Sequence, residues 1–220
     1  MGRVTVLAGA YRPWAIALTE KALPPTYALQ IKPDRLLASF RRKQPMMVAL
    51  VGWSWLVPPE IYNAVPTVCL HPSPLPRYRG GSPLQHQIMA GETVSAVTLF
   101  RVEDGAVDTG PVYCQEGFSL DGSLADVFER IVAVGAPMLA RVADAICSGR
   151  GWTPAPQPHR NAFVAYPRRT PEQSELTPAA LAEMTGRDIR NFIRALDHPE
   201  YPRAFLRGRD GEPVEIGLPT

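Results

Sequence analysis

His71 lies in HPSPLPRYRGGSP, thirteen residues with four prolines and two glycines, and Asp108 lies in EDGAVDTG. An imidazole and a carboxylate together move protons near neutral pH, the ring exchanging the proton and the carboxylate orienting the ring. Cys69 stands two residues before His71, so on a strand the thiol and the ring share a face. That spacing admits a thiol nucleophile beside a base, against the commoner reading of a strand-end cysteine as apolar filler. Arg77 and Arg79 flank Tyr78, with Gly80, Gly81 and Ser82 following. Two guanidiniums beside free backbone N–H groups suit an anion such as phosphate, and the bland alternative is an arginine pair facing water. Trp53, Trp55, Leu56 and Val57 in GWSWLVP suit either a ligand wall or a half-exposed strand end. Gly105 and Gly110 flank Asp108 and free its loop to adopt unusual backbone angles. The three cysteines, Cys69, Cys114 and Cys147, are odd in number and widely spaced, so neither a disulfide framework nor a metal site is read.

The elements that must position these residues alternate. Arg3 to Ala8 reads as a strand, followed by an apolar helical pattern through Trp14, Leu18 and Leu23 that Pro24 stops. Tyr27 to Ile31 is a second strand, Asp34 to Lys43 a basic amphipathic helix, and Met46 to Val51 a strand buried on both faces. A short helix at Pro58 to Asn63 precedes Thr67 to Leu70, a strand running into His71. Such alternation predicts an α/β fold with a parallel sheet, the site lying in loops beyond its carboxyl edge. Leu84 to Ala90 reads as helix, Ala96 to Val102 and Val112 to Phe118 as strands, and Leu124 to Cys147 as the longest helix. Residues 150 to 178 show no period and read as a connection over the surface. A smaller unit follows, with a helix presenting Ile189, Phe192, Ile193 and Leu196 and two strands, Ala204 to Arg207 and Val214 to Ile216. That apolar face suits closing the domain, or pairing two copies as a homodimer.

With 45% apolar and 20% charged residues in 220, the chain can bury a sizeable core. Its 23 basic and 21 acidic residues leave a formal charge of +2, which gives no stripe for nucleic acid. The first residues hold too short an apolar run for an export signal, and Met46 to Leu56 is too short to span a bilayer. A cytoplasmic protein without a membrane partner is expected.

CLHPSPLPRYRGGSP, followed by AVTLF and VDTG, resembles the formyl-folate-dependent formyltransferases in order, spacing and residue type. That family carries Asn-x-His-x-Ser-x-Leu-Pro-x-(aromatic)-Arg-Gly, met here by His71, Ser73, Leu75, Pro76, Tyr78, Arg79 and Gly80, and Asp-Thr-Gly, met by Asp108, Thr109 and Gly110. The resemblance implies a Rossmann-like catalytic domain over residues 1–150 with a mostly parallel sheet, a connecting segment over 151–178, and a small C-terminal α+β subdomain over 179–220. It implies transfer of a formyl group from N10-formyltetrahydrofolate to an amine, with His71 and Asp108 catalytic. The folate would lie against Trp53, Trp55, Leu56, Val57, Gly105 and Asp108, and the acceptor against Arg77, Tyr78, Arg79, Gly80, Gly81 and Ser82. Cys69 replaces the family asparagine, whose amide is held to bond the formyl oxygen as it gains charge. A thiol donates weakly, so that charge falls to His71 alone or to a donor from elsewhere, such as Asn63.

The C-terminal RRTPEQSE, IRNFIRAL and YPRAF resemble the extension of formyltransferases that act on amino-sugar nucleotides, with Pro199, Glu200, Tyr201, Pro202, Arg203 and Ala204 in place of that group's Pro-Tyr-Pro-Gly-Ala. The further domain and basic face by which initiator-tRNA formyltransferases grip RNA are not seen. LVGWSW, HPSPLPRYRGGSPLQHQI and SAVTLF look most like the enzymes formylating UDP-linked 4-amino-4,6-dideoxy-altrosamine of the pseudaminic acid type. A nucleotide-linked amino sugar is therefore the expected acceptor. VDTG also resembles an aspartic-protease triplet, but the strand–helix alternation before it opposes an all-β fold. The same residues would also serve hydrolysis of formyl-folate, formylation of methionyl-tRNA, or a catalytically degenerate folate-binding module.

Overall fold

The computed structural model describes residues 5–25, 27–158 and 165–218. Six strands form one sheet in the order β2-β1-β3-β4-β5-β6: β1 (Val6–Gly9), β2 (Ala28–Gln30), β3 (Met47–Val51), β4 (Thr67–His71), β5 (Val94–Arg101) and β6 (Val112–Ser119). The first four are parallel, in registers such as Leu7↔Ala28, Val6↔Met47 and Val48↔Thr67. Then β5 runs antiparallel to β4, with His71 opposite Thr98, and β6 antiparallel to β5. The reversal at β6 has a simple cause, because the short link from Val102 to Pro111 has no room for a helical crossover. Arg3 and Val4 of the expected first strand lie outside the described residues.

Helices cover both faces. On one side, α1 (Pro13–Ala22) and α5 (Leu124–Cys147) pack on Val6, Ala8, Met47, Ala49, Val51, Val68 and Leu70. On the other, α2 (Pro33–Lys43) and α3 (Pro59–Tyr62) bring Leu36, Phe40 and Ile61 onto Leu7, Val48 and Leu50. Strand residues therefore alternate between two cores, and every residue of β3 is buried, which explains its unbroken apolar run. A reciprocal cap between Ser123 and Asp126 starts α5 and satisfies N–H groups that the first turn leaves open. Midway along α5, a Cβ on Gly135 would meet Leu18 and Leu70 side chains at 2.9 Å, so this position requires a small residue. Full burial of a leucine or isoleucine of α5 contributes about 1.5–3 kcal/mol. Because α3 has only four residues, it leaves part of the β4 face uncovered, and a cleft opens there.

The chain after α5 is more engaged than a surface link. Ala155 bridges to Val112 and Tyr166 to Gly80, and Gln157 is 4% exposed. A 3-10 turn (Pro171–Ser174) and α6 (Pro178–Glu183) follow, neither expected from the sequence. Then α7 (Gly186–Leu196) packs on α4 (Pro83–Met89) and places Ala195 in the larger core. The hairpin of β7 (Ala204–Arg207) and β8 (Pro213–Ile216) ends the described chain. Arg12 at the start of α1 pairs with Glu200 at 3.1 Å, tying the C-terminal unit to the main sheet. No helix among the described residues is long and apolar enough to cross a membrane.

Candidate active site

Segments that leave β1, β3 and β4 enclose a cleft of about 790 Å³ that extends over the Cys69 face of β4. His71, the last residue of β4, is 6% exposed on its floor. Its Nε2 lies 2.8 Å from the Tyr78 carbonyl oxygen. A carbonyl only accepts, so Nε2 is the donor and a neutral ring keeps its lone pair on Nδ1. Tyr78 turns that carbonyl inward through a left-handed backbone, φ 58°, a geometry that costs a non-glycine residue roughly 1–2 kcal/mol. The Ser73 hydroxyl braces the turn by donating to the Arg77 carbonyl at 2.9 Å, and Thr98 Oγ1 donates to the Ser73 carbonyl at 2.6 Å.

Nδ1 faces Asp108 Oδ2 at 3.5 Å, too far for a hydrogen bond. That carboxylate oxygen instead accepts from the Gly80 N–H at 2.8 Å. The expectation that Asp108 sets the tautomer is thus corrected: the Tyr78 carbonyl sets it, and Asp108 places negative charge beside the free nitrogen. Asp108 has a left-handed backbone, φ 56°, which aspartate tolerates better than most residues. Gln157 holds it there. Its amide donates to the Asp108 and Gly110 carbonyls, both at 2.8 Å, while its oxygen accepts from Arg79 Nη2 at 2.7 Å.

Cys69 opens partly on the cleft floor, on the same face of β4 as His71. Burial first, and the charge of Asp108 second, push its thiol well above the ordinary range. It therefore stays S–H, a weak donor rather than a thiolate nucleophile. Asn63, the alternative oxyanion donor, is exposed and does not line the cleft.

One wall of the cleft is apolar. Trp53 and Trp55 meet edge to face at 4.9 Å, Tyr11 meets Trp55 at 4.9 Å, and the exposed Leu56 and Val107 form a lip. Val57 and Gly105 also line this side. Trp53 lies against the Gly9 backbone, where a Cβ would approach its ring to 3.0 Å. The Trp53 ring N–H is buried without a partner among the described residues.

The loop after His71 departs from expectation. Gly80, Gly81 and Ser82 line the cleft, but the Gly80 N–H is taken by Asp108 and the Gly81 N–H by the Tyr166 carbonyl at 2.8 Å. Arg77 pairs with Glu92, and the Tyr78 hydroxyl donates to Glu92 at 2.8 Å. Arg79 is 2% exposed and bound to Gln157. The two guanidiniums therefore do not reach the cleft, each drawn away by a partner distant in sequence. In their place the structure brings in residues that spacing did not single out: Arg12, Trp14, Gln85, Tyr201 and Arg168. Arg12 lies 4.7 Å over the Tyr201 ring, and Trp14 stacks on Phe128 at 5.3 Å. The aromatic and arginine composition of AYRPW, YPRAF and RRTPEQSE was the available signal for this wall.

The "Formyl transferase" family model matches residues 15–132. A methionyl-tRNA formyltransferase of Methylobacterium sp. (strain 4-46) is 31% identical over 216 residues, 94% of this chain and 67% of that protein. The methionyl-tRNA formyltransferase of Acidothermus cellulolyticus is 33% identical over 184 residues, 81% of this chain and 55% of that protein. The chain thus spans between about half and two thirds of the length of these two relatives. Three solved structures share the fold. Methionyl-tRNA formyltransferase from Clostridium thermocellum superposes with TM-score 0.78 at 24% identity, covering 97% of both chains. HypX from Aquifex aeolicus in complex with tetrahydrofolic acid gives 0.78 at 18% identity, covering 99% of this chain and 38% of that one. A sugar N-formyltransferase from Shewanella sp FDAARGOS_354 gives 0.74 at 16% identity, covering 99% and 98%.

Proposed function

This chain belongs to the formyltransferase family, and from that premise we propose that it moves a formyl group from N10-formyltetrahydrofolate to the amine of a nucleotide-linked amino sugar. The observation that carries the reading is the His71–Asp108 pair, 3.5 Å apart, on the floor of a cleft with an apolar aromatic wall on one side. The folate supplies the formyl carbon. The residues present suit such a donor: Trp53 and Trp55 offer flat apolar surface, the orphaned Trp53 ring N–H awaits an acceptor atom, and the exposed peptide edge of Asp104 to Val107 offers groups that can bond a heterocycle.

His71 Nδ1 takes the proton that the amine loses as it attacks the formyl carbon, and Asp108 stabilises the imidazolium so formed. The imidazolium returns that proton to the folate nitrogen as its bond to the formyl carbon breaks and tetrahydrofolate leaves. With Nε2 tied to the Tyr78 carbonyl, the proton enters and leaves at Nδ1 alone, which faces Asp108. Cys69 supplies at most a weak S–H contact to the formyl oxygen, so His71, once protonated, carries most of that charge. The sugar-nucleotide acceptor is supported by the motif resemblance of the HPSPLPRYRGGSP loop and C-terminal unit, the fold being shared with both a sugar N-formyltransferase and a methionyl-tRNA formyltransferase. A second reading, formylation of methionyl-tRNA, is favoured by the names of the relatives above 30% identity.

The test is tetrahydrofolate release from the formyl donor in the presence of 4-amino and 3-amino sugar nucleotides, or of methionyl-tRNA. Release that depends on one sugar supports the proposal. Release only with tRNA replaces it with the second reading, release without acceptor makes the protein a hydrolase, and no release points to a binding module or to an amine outside the panel. His71→Ala and Asp108→Ala are each expected to lower turnover by about 10²- to 10⁴-fold while tetrahydrofolate still binds.

A further inference from the structure

We propose that Arg168 is the anchor for the anionic part of the acceptor, gripping its diphosphate while the amine points to His71. Arg168 lines the cleft at the start of RRTPEQSE, in a stretch whose lack of period reads as a connection. Three hydrogen bonds lash that segment to the histidine loop: Tyr166 N–H to the Arg79 carbonyl and Gly81 N–H to the Tyr166 carbonyl, both 2.8 Å, and Arg169 N–H to Ser82 Oγ at 3.1 Å. Contact is close enough that a Cβ on Gly81 would lie 2.4 Å from the Arg168 Cα. Arg168 is therefore held by its backbone against the loop that carries the reacting proton.

Charge distribution points the same way. Arg12, the other arginine lining the cleft among the described residues, is neutralised by Glu200 at 3.1 Å. Among the described residues no carboxylate pairs with Arg168, whose neighbour is the Tyr11 hydroxyl, itself hydrogen-bonded to Ser54 Oγ at 2.6 Å. Burial pushes the Tyr11 phenol up, but Ser54, Arg168 and Arg12 outweigh it and hold the group below its usual value, as expected for a hydroxyl in a positive field. Of the carboxylates lining the cleft on the loop between β5 and β6, Glu103 is paired with Arg101 at 3.1 Å, which leaves Asp104 and Asp108 as the negative charge that loop presents. The cleft thus offers negative charge from that loop and, on the Arg168 segment, a positive anchor beside the hydroxyls of Tyr11 and Ser54 that follow β1 and β3. A molecule with an amine at one end and a diphosphate at the other complements both. Fixing the remote phosphates lets their binding energy orient the amine.

The inference deepens the proposed acceptor class and rests on that reading, but its test needs no turnover. Uridine diphosphate and inorganic pyrophosphate are titrated calorimetrically into the full chain and into Arg168→Gln and Arg168→Lys, with tetrahydrofolate binding followed by tryptophan fluorescence. The expected result is a loss of diphosphate affinity on the order of 10- to 100-fold in Arg168→Gln, partial retention in Arg168→Lys, and unchanged tetrahydrofolate binding. Equal diphosphate affinity in parent and Arg168→Gln, no binding to the parent, or a parallel loss of tetrahydrofolate binding each overturns it. Diphosphate binding that depends on Arg168, with no amino sugar formylated, leaves the anion site standing and removes the proposed function.

Discussion

Replacing Gly81 by alanine tests whether the segment from Ala165 to Arg169 is fixed to the loop that follows His71. A Cβ there would sit 2.4 Å from the Arg168 Cα, 2.6 Å from its nitrogen and 2.7 Å from its Cβ. Ordinary carbon contacts are ~3.5–4.0 Å, so the segment must retreat by about 1 Å. Gly81 is not among the residues with positive φ, so the effect is contact and not backbone strain. Overpacking costs about 1–3 kcal/mol. The retreat also stretches the two 2.8 Å bonds between Tyr166 and the loop, each worth about 1 kcal/mol. A total of about 3–5 kcal/mol lowers Tm by roughly 6–20 °C in a chain of this size. Thermal unfolding followed by circular dichroism reads this directly, and steady-state kinetics should show acceptor KM rising more than kcat falls. Gly186→Ala, at the start of α7 with nothing within 4 Å of the added methyl, is the control and should be neutral or slightly stabilising. If Gly81→Ala keeps both the parent Tm and the parent acceptor KM, the packing of this segment on the loop does not govern the site.

Two further outcomes concern the thiols. Cys69→Ala should retain most of the parent rate, whereas Cys69→Asn should raise kcat by about 10- to 100-fold if the formyl oxygen lacks a strong donor; single-turnover assays distinguish this from a rate unchanged because His71 already serves. Burial pushes the Cys69 thiol well above 9.0 and the Cys114 thiol to about 11. The folded chain then keeps protons that the unfolded chain releases near 9.0, so this contribution is whole below that pH and is lost as pH rises towards the folded values. Unfolding midpoints between about pH 8 and 10.5 should fall, with a shallower slope in Cys69→Ala; identical slopes would contradict the burial of that thiol.

Much of the fold was legible because periodicity and chain breaks act locally. The Leu124–Cys147 helix follows from an apolar stripe closed by Ser148 and Gly149, and β3 from five consecutive apolar residues. His71 and Asp108 were legible as motif residues. Less visible was what depends on long-range pairing: that Arg79 turns inward to Gln157, 78 positions on, that Glu92 captures Arg77, and that a segment without period carries Arg168 into the cleft. Composition at 150–178 records only that no regular element forms, not where the backbone is bound. The antiparallel turn at β5 was likewise hidden, because strand patterning carries no direction.

Gln157 has a consequence for how the site fails. One buried amide accepts from Arg79 of the histidine loop and donates to two carbonyls of the Asp108 loop, while Ala155 beside it exchanges hydrogen bonds with Val112 at the root of β6. These segments share so many partners that none can open without exposing buried polar groups of the others. Local opening here is expected to be a single cooperative event, readable as one group of amides exchanging together below global unfolding. Warming short of global unfolding is therefore expected to remove the His71–Asp108 pair and the segment facing it in one step, with cooling restoring them together.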